Sequence, residues 1–171
     1  MGTDRTSSNG AVQAEGQASR KYLAFLLSRE RYGIQILNIQ EIIKVPNITL
    51  VPQSPIYMKG VINLRGKIIP VVDLRLKFGM EERDYDQRTC IIVVNLQRND
   101  QTIAVGVVVD MVLEVVTFLD SEVENPPHFG SHVETSFIIG MGKKDEQLNI
   151  LLDIDKIISD TEVSIDSAIT N

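Results

Sequence analysis

Few side chains in this 171-residue chain could do chemistry, and they are scattered. His128 and His132 stand four apart, a spacing that on a helix would turn both imidazoles toward one metal. Pro126, Pro127 and Gly130 mark the segment as a loop instead, and Cys90 is the only thiol that could complete a site. Neither histidine lies near a nucleophile elbow. Gly60-Val61-Ile62-Asn63-Leu64-Arg65-Gly66 lacks both the Lys-Ser or Lys-Thr of a phosphate loop and the glycine pair of a dinucleotide turn. Asn47-Ile48-Thr49 fits a glycosylation pattern that matters only in a secretory setting. The other carboxylates fall at turn and surface positions, where solvated or capping roles are the default. Catalysis, a metal site and a cofactor are therefore not expected.

Two interruptions of apolar text suggest recognition instead. Gln40-Glu41 sits between Ile39 and Ile42, and the spacing of Ile36, Ile39, Ile42 and Ile43 predicts one or two helical turns. Glu41 would project from that supported site, although an ordinary solvated glutamate is the plainer reading. Asn63-Leu64-Arg65-Gly66 parts the runs Val61-Ile62 and Lys67-Ile68-Ile69-Pro70 and predicts a tight turn. Gly66 would supply the unusual backbone angle, with Arg65 at the tip as a planar donor. Arg65 suits a partner contact and a structural tie to a nearby carboxylate equally well.

The elements that must hold these residues are mostly strands. The chain has 21 Ile and 18 Val against 14 Leu and 6 Ala. Beta-branched side chains lose freedom in helices and pack well on a pleated sheet. Strands are expected at 22–27, 31–36, 61–64, 67–72, 89–97, 102–109, 112–117, 137–141 and 148–152. Asp73 to Phe78 and Asp153 to Ile158 read as short helices opened by an aspartate cap. Residues 1–20 are too polar to offset the entropy of ordering and read as a disordered tail, and 159–171 as a polar C-terminal tail. The opening Met1-Gly2-Thr3-Asp4-Arg5-Thr6 fits a myristoylation pattern short enough to arise by chance.

Charge and hydropathy narrow the partners. The formal net charge is −6, with 17 Lys and Arg against 23 Asp and Glu and no basic cluster, which disfavours nucleic acid. The most apolar stretch, Thr102 to Val116, is broken by Gly106, Asp110 and Glu114, so no membrane insertion is expected. The start has no apolar signal core, and a lone cysteine fits a reducing cytosol.

A weak repeat organises the middle of the chain. Arg31 to Ile43 matches Ala104 to Val116 at a shift of 73 residues, aligning Gly33 with Gly106 and Glu41 with Glu114. Val71-Val72-Asp73-Leu74 matches Leu151-Leu152-Asp153-Ile154 at a shift of 80 residues. Residues 21–158 thus read as one domain of two units split near 80–88, each long enough for a small five-stranded barrel. Whether the units are sequential or exchange strands stays open.

Tyr32-Gly33-Ile34-Gln35-Ile36, Ile39-Gln40-Glu41-Ile42, Lys59 to Gly66, Pro70 to Arg75 and Phe78-Gly79 closely resemble the CheW family of bacterial chemotaxis coupling proteins. Gly106 to Asp110 and Ile150 to Ile154 continue the likeness, which spans about residues 20 to 160. The resemblance implies a mostly β fold of two SH3-like five-stranded β-barrels with a few short helices. It implies a non-enzymatic cytoplasmic adaptor that couples the signalling tips of chemoreceptors to the histidine kinase CheA, at receptor arrays on the inner face of the membrane. Receptor-contact positions carried over are Ile36, Ile39 and Glu41, with Gly60, Arg65 and Gly66 nearby. Docking of the kinase regulatory domain is placed on exposed apolar edges, with no residues assigned. Gln35 departs from the Asp common in the family. A detached kinase regulatory domain is a rival reading, as is a small β enzyme or ligand-binding domain.

Overall fold

The computed structural model describes residues 18–128 and 135–159. Of the tails read at 1–20 and 159–171, residues 1–17 and 160–171 lie outside the described residues, as do the myristoylation pattern and His132. The expected strands are all present. They are β1 Ser19–Leu27, β2 Glu30–Gln35, β4 Met58–Leu64, β5 Lys67–Asp73, β6 Cys90–Arg98, β7 Gln101–Val109, β8 Met111–Leu119, β10 Ile138–Lys144 and β11 Gln147–Leu152. Strand β1 begins at Ser19, inside the stretch read as tail. Helices α1 Leu74–Lys77 and α2 Ile154–Ser159 follow Asp73 and Asp153, whose carboxylates accept the Leu76 and Lys156 amides.

Two elements differ from the sequence reading. The isoleucine stretch forms a single 3-10 turn, Ile36–Asn38, and then strand β3, Ile39–Lys44, which pairs antiparallel with β6. A register shift between Ile39 and Glu41 explains why spacings of three and four survive within a strand. A second 3-10 turn, Asp120–Glu122, leads into a two-residue strand β9, Val123–Glu124.

The expected pair of closed five-stranded barrels is not found. The strands form a six-stranded sheet in the order β8-β1-β2-β11-β10-β9 and a five-stranded sheet in the order β3-β6-β7-β5-β4, and both stay open. Closing the second sheet would need a ladder between β3 and β4. The connection between them carries Pro46, Pro52 and Pro55, which have no N–H to donate. A single bridge between Thr49 and Val61 is all that forms there. In the first sheet Pro126 and Pro127 follow β9 closely.

The repeat is written into the topology. Exchanging each of β1, β2, β3, β4 and β5 for β6, β7, β8, β10 and β11 turns one strand order into the other, with β9 alone lacking a counterpart strand. Each sheet mixes both halves: hairpin β1–β2 pairs with β8 and β11, and hairpin β6–β7 pairs with β3 and β5. The joins are parallel and equivalent, with Gly33 opposite Leu151 and Gly106 opposite Val71.

The main core lies between the sheets. Leu23, Phe25, Leu27, Ile34 and Leu152 come from one side, and Val72, Ile92, Val94, Leu96, Val105 and Val107 from the other. On the far face of the five-stranded sheet, Ile62, Ile69, Val71, Ile91, Val93 and Val108 form a second cluster. Strand β6 is thus covered on both faces, which is why Ile91-Ile92-Val93-Val94 shows no polar alternation.

Candidate partner-binding site

The turn between β4 and β5 has two central residues, Arg65 at φ 50° and Gly66 at φ 87°, flanked by the pair Leu64 and Lys67. Positive φ at both positions is the geometry whose twist matches antiparallel strands. Glycine adopts it freely, whereas for Arg65 a left-handed backbone costs roughly 1 kcal/mol. Asn63 offsets part of that cost, its Oδ1 accepting the Gly66 N–H at 2.9 Å. The sequence reading gave the unusual angle to Gly66 alone and missed Asn63.

Held in this turn, Arg65 donates its guanidinium to the Glu41 carboxylate on β3, which also accepts the Gln40 side-chain amide at 3.0 Å. Glu41 is half-buried and Arg65 is 68% exposed. The arginine is therefore both tied to a carboxylate and displayed. Ile36 and Ile39 are half-buried and pack on the inter-sheet core. Ile39 and Glu41 lie on the same edge strand. A continuous strip results, running from the rim of the main core along β3 to the β4–β5 turn.

Gly60 does a different job. It sits on β4 at φ 141°, and a β-carbon there would fall 2.0 Å from the Thr49 carbonyl oxygen. Its bare backbone lets residues 48–50 cross β4 at the Thr49–Val61 bridge. The repeat preserves this device. A β-carbon on Gly140, 80 residues on, would meet the Glu124 carbonyl oxygen at 2.8 Å where β9 crosses β10 at Met141.

The second copy of the strip has diverged. Glu114, counterpart of Glu41, pairs with Arg31 on β2 at 2.5 Å, and Arg31 in turn donates to buried Asn149 at 3.1 Å. The hydrogen bond from Arg31 holds the Glu114 carboxyl below the usual carboxylate range. Seven exposed large apolar residues among the described residues escaped the sequence reading, and four of them form matched pairs: Ile42 and Ile68 on the five-stranded sheet, Val115 and Leu148 on the other. Ile42 aligns with Val115 at the shift of 73 and Ile68 with Leu148 at the shift of 80, so the repeat itself was the signal that could have found them. Among the described residues no cluster of three or more His, Cys, Asp and Glu could hold a metal, and His128 is exposed. Among them, too, no helix is long and apolar enough to cross a membrane.

An apolar strip rimmed by an oriented ion pair, on a fold that presents related positions twice, has the composition of a protein-binding surface. The CheW-like domain family model matches residues 21–162. Chemotaxis protein CheW of Klebsiella aerogenes is 37% identical over 160 residues, 94% of this chain and 92% of that protein. Its Bacillus subtilis namesake is 34% identical over 142 residues, covering 82% of this chain and 88% of that one. The crystal structure of scaffolding protein CheW from Thermoanaerobacter tengcongensis superimposes with a TM-score of 0.73 at 34% identity, covering 82% of this chain and 93% of that chain. The chain belongs to the CheW family. It is a non-enzymatic adaptor of chemotaxis signalling that couples receptors to the kinase CheA.

Proposed function

We propose that the strip of Ile36, Ile39 and Glu41, with Arg65 and Gly66 at the neighbouring turn, is where this adaptor meets the helical tip of a chemoreceptor. Gly60 serves the same site from behind, by seating residues 48–50 against β4. The observation that carries the reading is the ion pair between Arg65 and Glu41, which orients two charges beside an apolar rim. A receptor helix would lay its own apolar stripe on Ile36 and Ile39, while the charges set register and reject poor partners.

The regulatory domain of CheA is assigned to the other sheet, where Val115 on edge strand β8 and Leu148 on β11 are 52% and 55% exposed. Separate faces let one adaptor hold both partners, and binding to receptors would recruit it to arrays at the inner face of the membrane. Co-sedimentation with receptor fragments and kinase tests the whole scheme. Kinase activity in the assembly should depend on this protein, and independence would refute the coupling assignment.

A further inference from the structure

Leu37, in the 3-10 turn between Ile36 and Asn38, is 92% exposed, the most exposed large apolar side chain among the described residues. It borders a surface hollow lined by Ser19, Arg20 and Lys21 of β1 and by Gln35, Ile36 and Leu37. Strand alternation puts Lys21 on the face of Leu23, Phe25 and Leu27, all members of the inter-sheet core, whereas Arg20, on the opposite face with Tyr22, also lines the hollow. Through Ile36, which packs on that core, the hollow continues the strip assigned to the receptor.

Charge adds to the apolar character of this end. Arg65 is answered by Glu41, Arg31 by Glu114, and Arg75 by Asp110. Arg20 and Lys21 have no ion pair among the described residues, in a chain of net charge −6. Two adjacent cations without an ion pair beside an apolar hollow attract an acidic segment, so they can select both position and polarity.

We propose that Leu37, Arg20 and Lys21 extend the receptor site and recognise an acidic amphipathic helix, with an apolar side chain of the receptor tip over Leu37 and Ile36 and its carboxylates on Arg20 and Lys21. The inference rests on the receptor assignment above and adds the chemistry of the partner.

The test titrates the full chain with a soluble cytoplasmic chemoreceptor fragment, at low and high salt, beside a parallel titration with the CheA regulatory domain. R20E/K21E should bind the receptor fragment about tenfold more weakly at low salt, with the gap closing when a short Debye length screens the charges. L37A should weaken binding about fivefold at both salts, because it removes contact area and no charge. Replacing carboxylates of the fragment by lysine should restore binding to R20E/K21E, and kinase binding should not change in any variant. Wild-type affinity in R20E/K21E, alongside a loss in Glu41→Lys, would overturn the extension and leave the receptor strip standing. Equal losses for receptor and kinase would also overturn it, since the cations would then act through the fold. A wild-type chain that does not bind the fragment would remove the extension and the strip together.

Discussion

The Arg65 guanidinium, at the tip of the β4–β5 turn, donates to the Glu41 carboxylate on edge strand β3, bridging the open side of the five-stranded sheet. With Arg65 68% exposed, water and salt screen the pair, and such pairs contribute about 0–1 kcal/mol to stability. Its consequence is geometric: two long side chains that would otherwise wander are held in one arrangement beside Ile36 and Ile39.

Glu41→Lys is expected to lower receptor affinity about tenfold, because it reverses a rim charge and also repels Arg65. The fold and kinase binding should persist, since Glu41 fills no core position. Arg65→Ala should lower receptor binding comparably and cost under about 1 kcal/mol of stability. Co-sedimentation and circular dichroism of the two variants decide it. Unchanged receptor binding in Arg65→Ala would leave Arg65 a turn residue only.

Gly60→Ala and Gly66→Ala separate the two roles glycine plays here. At Gly60 the new methyl would collide with the Thr49 backbone, and φ 141° is hostile to any L side chain. A loss of about 3 kcal/mol or more is expected, in the range of strain and overpacking together. At Gly66 no atom lies within 4 Å of the added carbon, so only the left-handed backbone penalty of roughly 1 kcal/mol remains. Urea denaturation midpoints measure both, and equal losses would contradict the crowding at Thr49.

How much of this was legible beforehand differs by residue. Ile91 to Val94 reads as a buried strand from its sequence alone, because both its faces are covered and no polar residue interrupts it. Ile39 to Lys44 does not: isoleucines at 36, 39, 42 and 43 satisfy a helical spacing, and pairing with β6 some fifty residues away decides for a strand. Barrel closure was an expectation from the repeat and from family likeness, and the prolines that break up the β3–β4 connection were visible without their effect being drawn. The repeat announced two equivalent units, but alignment at fixed shifts cannot say which copy of β2 meets which copy of β5, since both pairings bury the same kinds of residue. The sequence reading left Arg65 between two roles because its carboxylate, Glu41, lies 24 residues away.

Val115→Asp and Leu148→Asp, singly and together, are expected to weaken binding of the CheA regulatory domain without weakening receptor binding. Both side chains are more than half exposed, so the substitutions should leave stability within about 0.5 kcal/mol of wild type. The matching changes Ile42→Asp and Ile68→Asp on the five-stranded sheet give the control for surface apolar loss in general. Titration of the regulatory domain against all four variants separates the sheets, and a kinase deficit confined to the Ile42 and Ile68 variants would move the assignment to the other sheet.

Tyr85 provides a prediction in pH. Its hydroxyl donates to Asp73 Oδ2 at 2.8 Å, and Asp73 is buried, with its other oxygen 3.4 Å from the Leu76 amide that it caps. Burial first, then the hydrogen bond and charge of Asp73 and the charge of Glu82, push the Tyr85 phenol well above its ordinary value. A folded pKa above the unfolded value of about 10 means that the folded chain holds its proton longer, so the stabilisation is complete below about pH 10 and is lost as pH rises through the folded pKa. Tyr85→Phe should cost about 1–3 kcal/mol at neutral pH, because it leaves a buried carboxylate short of a donor. It should also lose less further stability than wild type above about pH 10. Denaturation midpoints of both proteins at neutral and alkaline pH measure the difference. Curves that fall in parallel through the alkaline range would show that the phenolic proton of Tyr85 is not coupled to folding.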